Sequence, residues 1–96
     1  MQMDAGLDTG EILATYPVNI ESYETGESLH DRLATTGATA ITEVLANLDH
    51  YQKNAVPQQS ELSSYAKKIS MGEANIDWTE NCQVLEHRIR AFNPYI

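Results

Sequence analysis

Met1-Gln2-Met3-Asp4-Ala5-Gly6-Leu7-Asp8-Thr9-Gly10-Glu11-Ile12-Leu13 is the stretch on which the reading of this chain turns. Two carboxylates, Asp4 and Asp8, stand in a segment broken by Gly6 and Gly10, with apolar residues on both flanks. Glycine reaches backbone conformations that a Cβ forbids, so the segment predicts a tight loop leading into a strand from Glu11. A carboxylate on such a loop can face a ligand, because loops at strand ends carry chemistry. The commoner fate of an Asp-Gly loop is a plain turn, in which Asp bonds its own local backbone. Spacing alone favours the turn, and Asp8 suits that role best.

Outward from the loop, Glu11 to Val18 reads as a strand from its aliphatic and aromatic content. Pro17 cannot donate to a ladder, which places it at the strand end or at an edge. Loop and strand together suggest the second half of a hairpin whose first arm ends at Met1-Gln2-Met3. A lone hairpin is marginal in water, and this one keeps little of one arm, so the pattern suggests a truncated piece. A polar loop, Asn19 to Gly26, leads to Thr25 as helix N-cap and Glu27 in the first turn. The helix runs to about Leu48, with Leu29, Leu33, Ala40, Ile41, Val44, Leu45 and Leu48 as one apolar stripe at three- and four-residue steps. Thr35-Thr36-Gly37 lowers helix propensity and invites a kink. His30 reads as an exposed helix residue, since no second ligand stands four residues away on its face.

Beyond the helix, Asp49 to Ser64 is polar around Pro57-Gln58-Gln59-Ser60 and reads as a surface segment or linker. Ala74 to Trp78 reads as extended, with Trp78 packing as an anchor. Thr79 then caps a second helix, Glu80 to Phe92, whose apolar face is Cys82, Leu85, Ile89 and Phe92. Asn93-Pro94 ends it, because the residue before Pro disfavours helix.

Composition narrows the classes. The chain has 96 residues and a net charge of −8, enough for one small domain. The acid excess lies in residues 1–50, where Arg32 faces nine acids; residues 51–96 hold five bases and five acids. Phosphate contacts need Lys and Arg, so any nucleic-acid contact here is local. Lys67-Lys68 and Arg88/Arg90 are the candidates, although each pair by itself is more often a solvated surface. No apolar run spans a membrane, and no secretory leader is visible. The lone Cys82 excludes an internal disulfide framework and fits a reducing compartment.

The run Met3-Asp4-Ala5-Gly6-Leu7-Asp8-Thr9-Gly10 before an aliphatic segment resembles the folate-dependent formyltransferases, and among them the methionyl-tRNA formyltransferases most closely. Thr25 to Leu33, Tyr65 to Ile69, Ile76-Asp77-Trp78 and Ile89 to Pro94 follow in that family's order. Each piece alone is weak; five in order are hard to obtain by chance. The resemblance implies an α/β chain. Residues 1–50 would be the C-terminal part of a Rossmann-like formyltransferase catalytic domain (a truncated hairpin plus a long helix). Residues 51–70 would be a linker, and 71–96 the start of a C-terminal domain leading into a barrel that this chain lacks. It implies an internal fragment of a cytoplasmic, monomeric enzyme of translation initiation. That enzyme would move a formyl group from 10-formyltetrahydrofolate to the amino group of initiator methionyl-tRNA, without a metal and without a membrane.

Formyl transfer to an amine needs stabilisation of developing negative charge and a route for the amine proton. In the family an Asn and a His from a preceding segment flank the formyl group, and an aspartate works with the His. Asp4 matches that aspartate, and the resemblance sets Asp4, Ala5, Gly6 and Asp8 beside the pterin ring. It also makes Lys67, Lys68, Arg88 and Arg90 candidate tRNA contacts. None of Asn19, His30, Asn47, His50, Asn75 or His87 stands in an Asn-x-His setting, so this stretch alone is expected to be inactive. Relatives that formylate amino sugars on nucleotides, or hydrolyse formyltetrahydrofolate, share similar aspartate loops. Arg90-Ala91-Phe92-Asn93-Pro94 favours the tRNA enzymes, although Tyr95 stands where Trp is usual. Two rival readings are weaker. Asp8-Thr9-Gly10 matches the aspartic-protease triplet, but those chains are nearly all strand. A non-catalytic helical interaction module would leave the Asp4 loop without a purpose.

Overall fold

A computed structural model describes residues 1–95. Its regular elements are helices: α1 (Gly26–Ala46), α2 (Leu48–Lys53) and α3 (Cys82–Phe92), with short 3-10 turns at Ser60–Leu62 and Met71–Ala74. The chain forms two compact units. The first comprises Met1–Val18 and Thr35–Tyr65, the second Asn19–Ala34 and the chain from Ala66 onward.

The first unit contains the main departure from the sequence reading. Glu11 to Val18 forms no strand, and no strand occurs among the described residues; the α/β pattern expected there is helical with extended segments. Ile12 instead makes one isolated antiparallel bridge to Val56, with Ile12 N donating to Val56 O at 2.8 Å and Val56 N to Ile12 O at 3.0 Å. The expected hairpin partner contributes a single bond, from Gln2 N to Glu11 O at 2.8 Å. A ladder needs consecutive pairs, Pro17 supplies no donor, and two short arms cannot hold each other in water. In the same unit Tyr16 Oη donates to Glu43 Oε2 at 2.7 Å, which raises the Tyr16 pKa because the bond favours the protonated phenol.

Helix α1 begins where its cap predicts. Ser28 N donates to Thr25 Oγ1 at 3.2 Å, and Thr25 N donates back to Ser28 Oγ at 3.0 Å. This reciprocal pair satisfies donors that have no partner within the helix. The helix runs unbroken through Thr35-Thr36-Gly37, so the propensity loss there produces no break. Its stripe forms but is little covered: Val44 is buried, while Leu33, Ile41 and Leu45 are each about half exposed. Apolar area left in water forgoes about 25 cal/mol per Å², so this face contributes little to the stability of the chain by itself.

In the second unit α3 starts two residues later than the sequence suggested. Asn81 is the cap, its Oδ1 accepting from Gln83 N at 2.8 Å. Thr79 is diverted, since its backbone N–H and its hydroxyl both donate to Asp77 Oδ1, at 2.9 and 2.6 Å. An Asp two residues upstream competes for such a residue through an Asx turn. Trp78 does not pack as an anchor; it is 81% exposed. The start of α1 meets the end of α3 closely: Glu27 N donates to Asn93 O at 3.3 Å, and a Cβ on Gly26 would collide with the Ala91 carbonyl oxygen.

Candidate functional site

The segment around Asp4 is a built loop. Asp4 Oδ1 accepts from Gly6 N at 2.9 Å and from Thr9 Oγ1 at 2.6 Å. Asp4 therefore closes the Asx turn that the sequence reading gave to Asp8. The residue is exposed. The Thr9 hydroxyl first, and the Gly6 amide second, hold its carboxyl below the usual carboxylate value, since donors favour the charged form. Asp4 is thus a carboxylate at neutral pH, directed and charged but not buried.

The glycines serve differently from the expectation. Neither Gly6 nor Gly10 takes a positive φ; the left-handed residue is Asp8, at φ 54°, a conformation that Asp tolerates better than most residues. The glycines are required for room. A Cβ on Gly6 would strike the Thr9 hydroxyl, and one on buried Gly10 would strike the Gln2 carbonyl oxygen. The stretch read as linker also reaches this loop. Gln58 Nε2 donates to Asp8 O at 2.9 Å and to Gly10 O at 2.7 Å, and Gln52 Nε2 donates to Gln2 Oε1 at 3.1 Å. Sequence reasoning missed Gln58. A glutamine in a polar run has no local signal, and its partners lie 50 and 48 residues away.

Of the basic candidates in the second unit, Lys68 and Lys67 are exposed, and Lys67 Nζ stands 3.9 Å from Glu73 Oε1. Arg88 and Arg90 are occupied by structure. Arg88 pairs with Glu80 at 2.9 Å. Arg90 pairs with Glu86 one helical turn back and donates to the Glu24 carbonyl oxygen at 2.8 Å. Glu24, another residue the sequence reading passed over as loop, is 2% exposed. Its carboxylate meets the Arg32 guanidinium at 2.5 Å and accepts from Glu21 N at 2.9 Å. Arg32, then the Glu21 amide, lower its pKa. A hollow of about 610 Å³ borders Glu24, lined among others by Ile20, Leu29, His87 and Arg90, and by no residue of the Asp4 loop. Among the described residues no group of three His, Cys, Asp or Glu side chains is gathered to hold a metal ion, and no helix is long and apolar enough to cross a membrane.

The Asp-Ala-Gly-Leu-Asp-Thr-Gly loop, its first carboxylate held ionised, is the motif on which the resemblance to formyltransferases rests, and comparison with known proteins extends that resemblance over the chain. Over 95 residues, 99% of its length, the chain is 48% identical to a methionyl-tRNA formyltransferase of Alcanivorax borkumensis and 48% identical to one of Albidiferax ferrireducens. It is 45% identical over the same share to one of Idiomarina loihiensis. It covers 29%, 29% and 30% of those proteins, so the chain spans about three-tenths of the length of the curated relatives it matches. No family model matches it. Along 99% of its length the chain is similar to one stretch of proteins named methionyl-tRNA formyltransferase.

Proposed function

We propose that this stretch supplies the aspartate wall of a formyl-transfer pocket in an enzyme that formylates initiator methionyl-tRNA from 10-formyltetrahydrofolate in the cytoplasm. The observation that carries the reading is Asp4, exposed yet held ionised by Thr9 and Gly6, within a chain matching methionyl-tRNA formyltransferases along 99% of its length. When bound, 10-formyltetrahydrofolate supplies the formyl group. The loop suits such a flat, polar co-substrate. Ala5 and Gly6 have almost no side chain to cover the backbone, and Asp4 is exposed next to them. A carboxylate that stays charged cannot act as the acid at neutral pH. It can orient a neighbouring imidazole or receive the proton that the attacking amine must lose. Asp8, left-handed and tied through its carbonyl, shapes the loop beside the pterin.

On this reading residues 1–50 end a Rossmann-like catalytic domain, 51–70 lead out of it, and 71–96 open a C-terminal domain. The half-exposed stripe of α1 then faces the sheet of that catalytic domain. Lys67, Lys68, Arg88 and Arg90 are the tRNA contacts of this reading; Lys68 has no acidic partner among the described residues, while Lys67 lies near Glu73, Arg88 pairs with Glu80 and Arg90 with Glu86. The isolated chain is expected to show no formyl transfer. The test is Asp4→Asn in the full-length enzyme that contains this stretch. Formyl transfer should fall by about a hundredfold or more, the range for losing a proton-transfer group, and binding of a folate analogue should weaken. Unchanged transfer by the variant, or turnover by the isolated chain, would refute the reading.

A further inference from the structure

We propose that Gln58 is a positioning residue for the Asp4 loop, acting on formyl transfer through the loop backbone. The proposal rests on the reading of Asp4 just given. The Gln58 amide carries two N–H bonds on one nitrogen, and it faces two carbonyl oxygens, Asp8 O at 2.9 Å and Gly10 O at 2.7 Å. Only the nitrogen end of the amide can satisfy two acceptors, so the orientation of the group is fixed by its partners. Both acceptors belong to the part of the loop that has no slack. Asp8 is left-handed, and Gly10 is buried against the Gln2 carbonyl with no space for a Cβ. Between them stands Thr9, whose hydroxyl holds Asp4 Oδ1. Gln58 therefore grips both residues that bracket the donor on which the direction and charge of Asp4 depend. The neighbouring bridge between Ile12 and Val56 brings the Gln58 segment into register with the loop. Gln58 is exposed and is no part of a packed core; beside this pair of bonds its Nε2 makes a weak contact to Met1 Sδ at 3.8 Å.

The consequence is a loss in rate and not in assembly. Without the amide, Asp8 and Gly10 are free to shift, Thr9 moves with them, and Asp4 loses its direction and part of its hold on the proton. Misplacement of a reacting group by about 1 Å can cost on the order of a hundredfold; we expect roughly tenfold or more here. The experiment is steady-state kinetics of the full-length enzyme with Gln58→Ala and with Gln58→Met, which keeps the side-chain length but removes the donors. kcat should fall by roughly tenfold or more while the KM for methionyl-tRNA stays within about twofold. The acid limb of kcat/KM should move to higher pH as Asp4 returns toward its ordinary pKa. Gln58→Glu, which sets a carboxylate against two carbonyls, should be worse than Gln58→Met. Asp4→Asn serves as control. If Asp4→Asn loses transfer while both Gln58→Ala and Gln58→Met retain kcat within about twofold, this inference fails and the Asp4 reading stands. If Asp4→Asn keeps transfer, the Asp4 reading itself fails and takes this one with it. A loss that follows the melting temperature, with the acid limb unmoved, would make Gln58 merely structural and overturn the proposal.

Discussion

Asp4 in the first unit and Glu24 in the second are both held below their ordinary pKa, by opposite means. Asp4 does so in the open, with two neutral donors drawn from its own loop, Gly6 N and Thr9 Oγ1. Glu24 does so inside, facing the Arg32 guanidinium, while Arg90 donates to its carbonyl oxygen. Two neutral donors leave the charge of Asp4 available to something that arrives. A buried carboxylate closed off by its partner leaves nothing available, and removing the half-exposed Arg32 strands Glu24 without its counter-charge. A lowered pKa is therefore not by itself the mark of a reactive group; what distinguishes the two is who holds the charge and whether water or substrate can reach it.

The comparison can be broken at either end. The largest expected effect is on activity, from Asp4→Asn in the full-length enzyme, as above. Next comes stability. Glu24→Gln and Arg32→Met should each lower the urea midpoint of unfolding more than any surface substitution, and the double variant should lose less than the two losses combined, because neither charge is then stranded. Val44→Ala should cost about 2 kcal/mol by the same measurement, from two lost methyl groups at a buried site. Thr25→Ala should cost about 1 kcal/mol through the lost α1 cap, with transfer per folded molecule unchanged.

Acid should act on both carboxylates with one sign. Each has a folded pKa lower than its ordinary value, 3.8 for Asp4 and 4.5 for Glu24. The stability they contribute is full above those ordinary values and is lost as pH falls through the lower folded ones. Urea midpoints should thus stay level down to the ordinary carboxylate range and drop below it. The Asp4→Asn, Glu24→Gln double variant should show a shallower acid drop.

Much of the fold was legible because it rests on local patterns. The start of α1 was readable in Thr25, and its course in the stripe from Leu29 to Leu45, although the helix stops at Ala46 and Leu48 opens α2, which runs into a stretch read as a surface segment or linker. The end of α3 was readable in Asn93-Pro94. The expectations that failed depended on partners out of sequence view. Glu11 to Val18 has the composition of a strand, but a strand needs a neighbour, and only Ile12 finds one, at Val56. Thr79 has the chemistry of a cap, but Asp77 takes both of its donors. For the site, the sequence singled out Asp4 and its loop, yet gave the loop's unusual backbone to the glycines and the turn bond to Asp8. The structure gives the first to Asp8 and the second to Asp4. Gln58 and Glu24 had no signal at all, since each acquires its role from contacts that only folding creates.

The most direct test of the account sets the two carboxylates side by side in the full-length enzyme, as formyl transfer per folded molecule for Asp4→Asn and for Glu24→Gln. The account predicts that Asp4→Asn, whose Oδ1 can still accept from Gly6 and Thr9, melts only slightly earlier than the parent and has lost about a hundredfold or more in transfer, while Glu24→Gln melts markedly earlier and transfers normally once folded. The reverse pattern, with Asp4→Asn active and Glu24→Gln folded but inert, would contradict it.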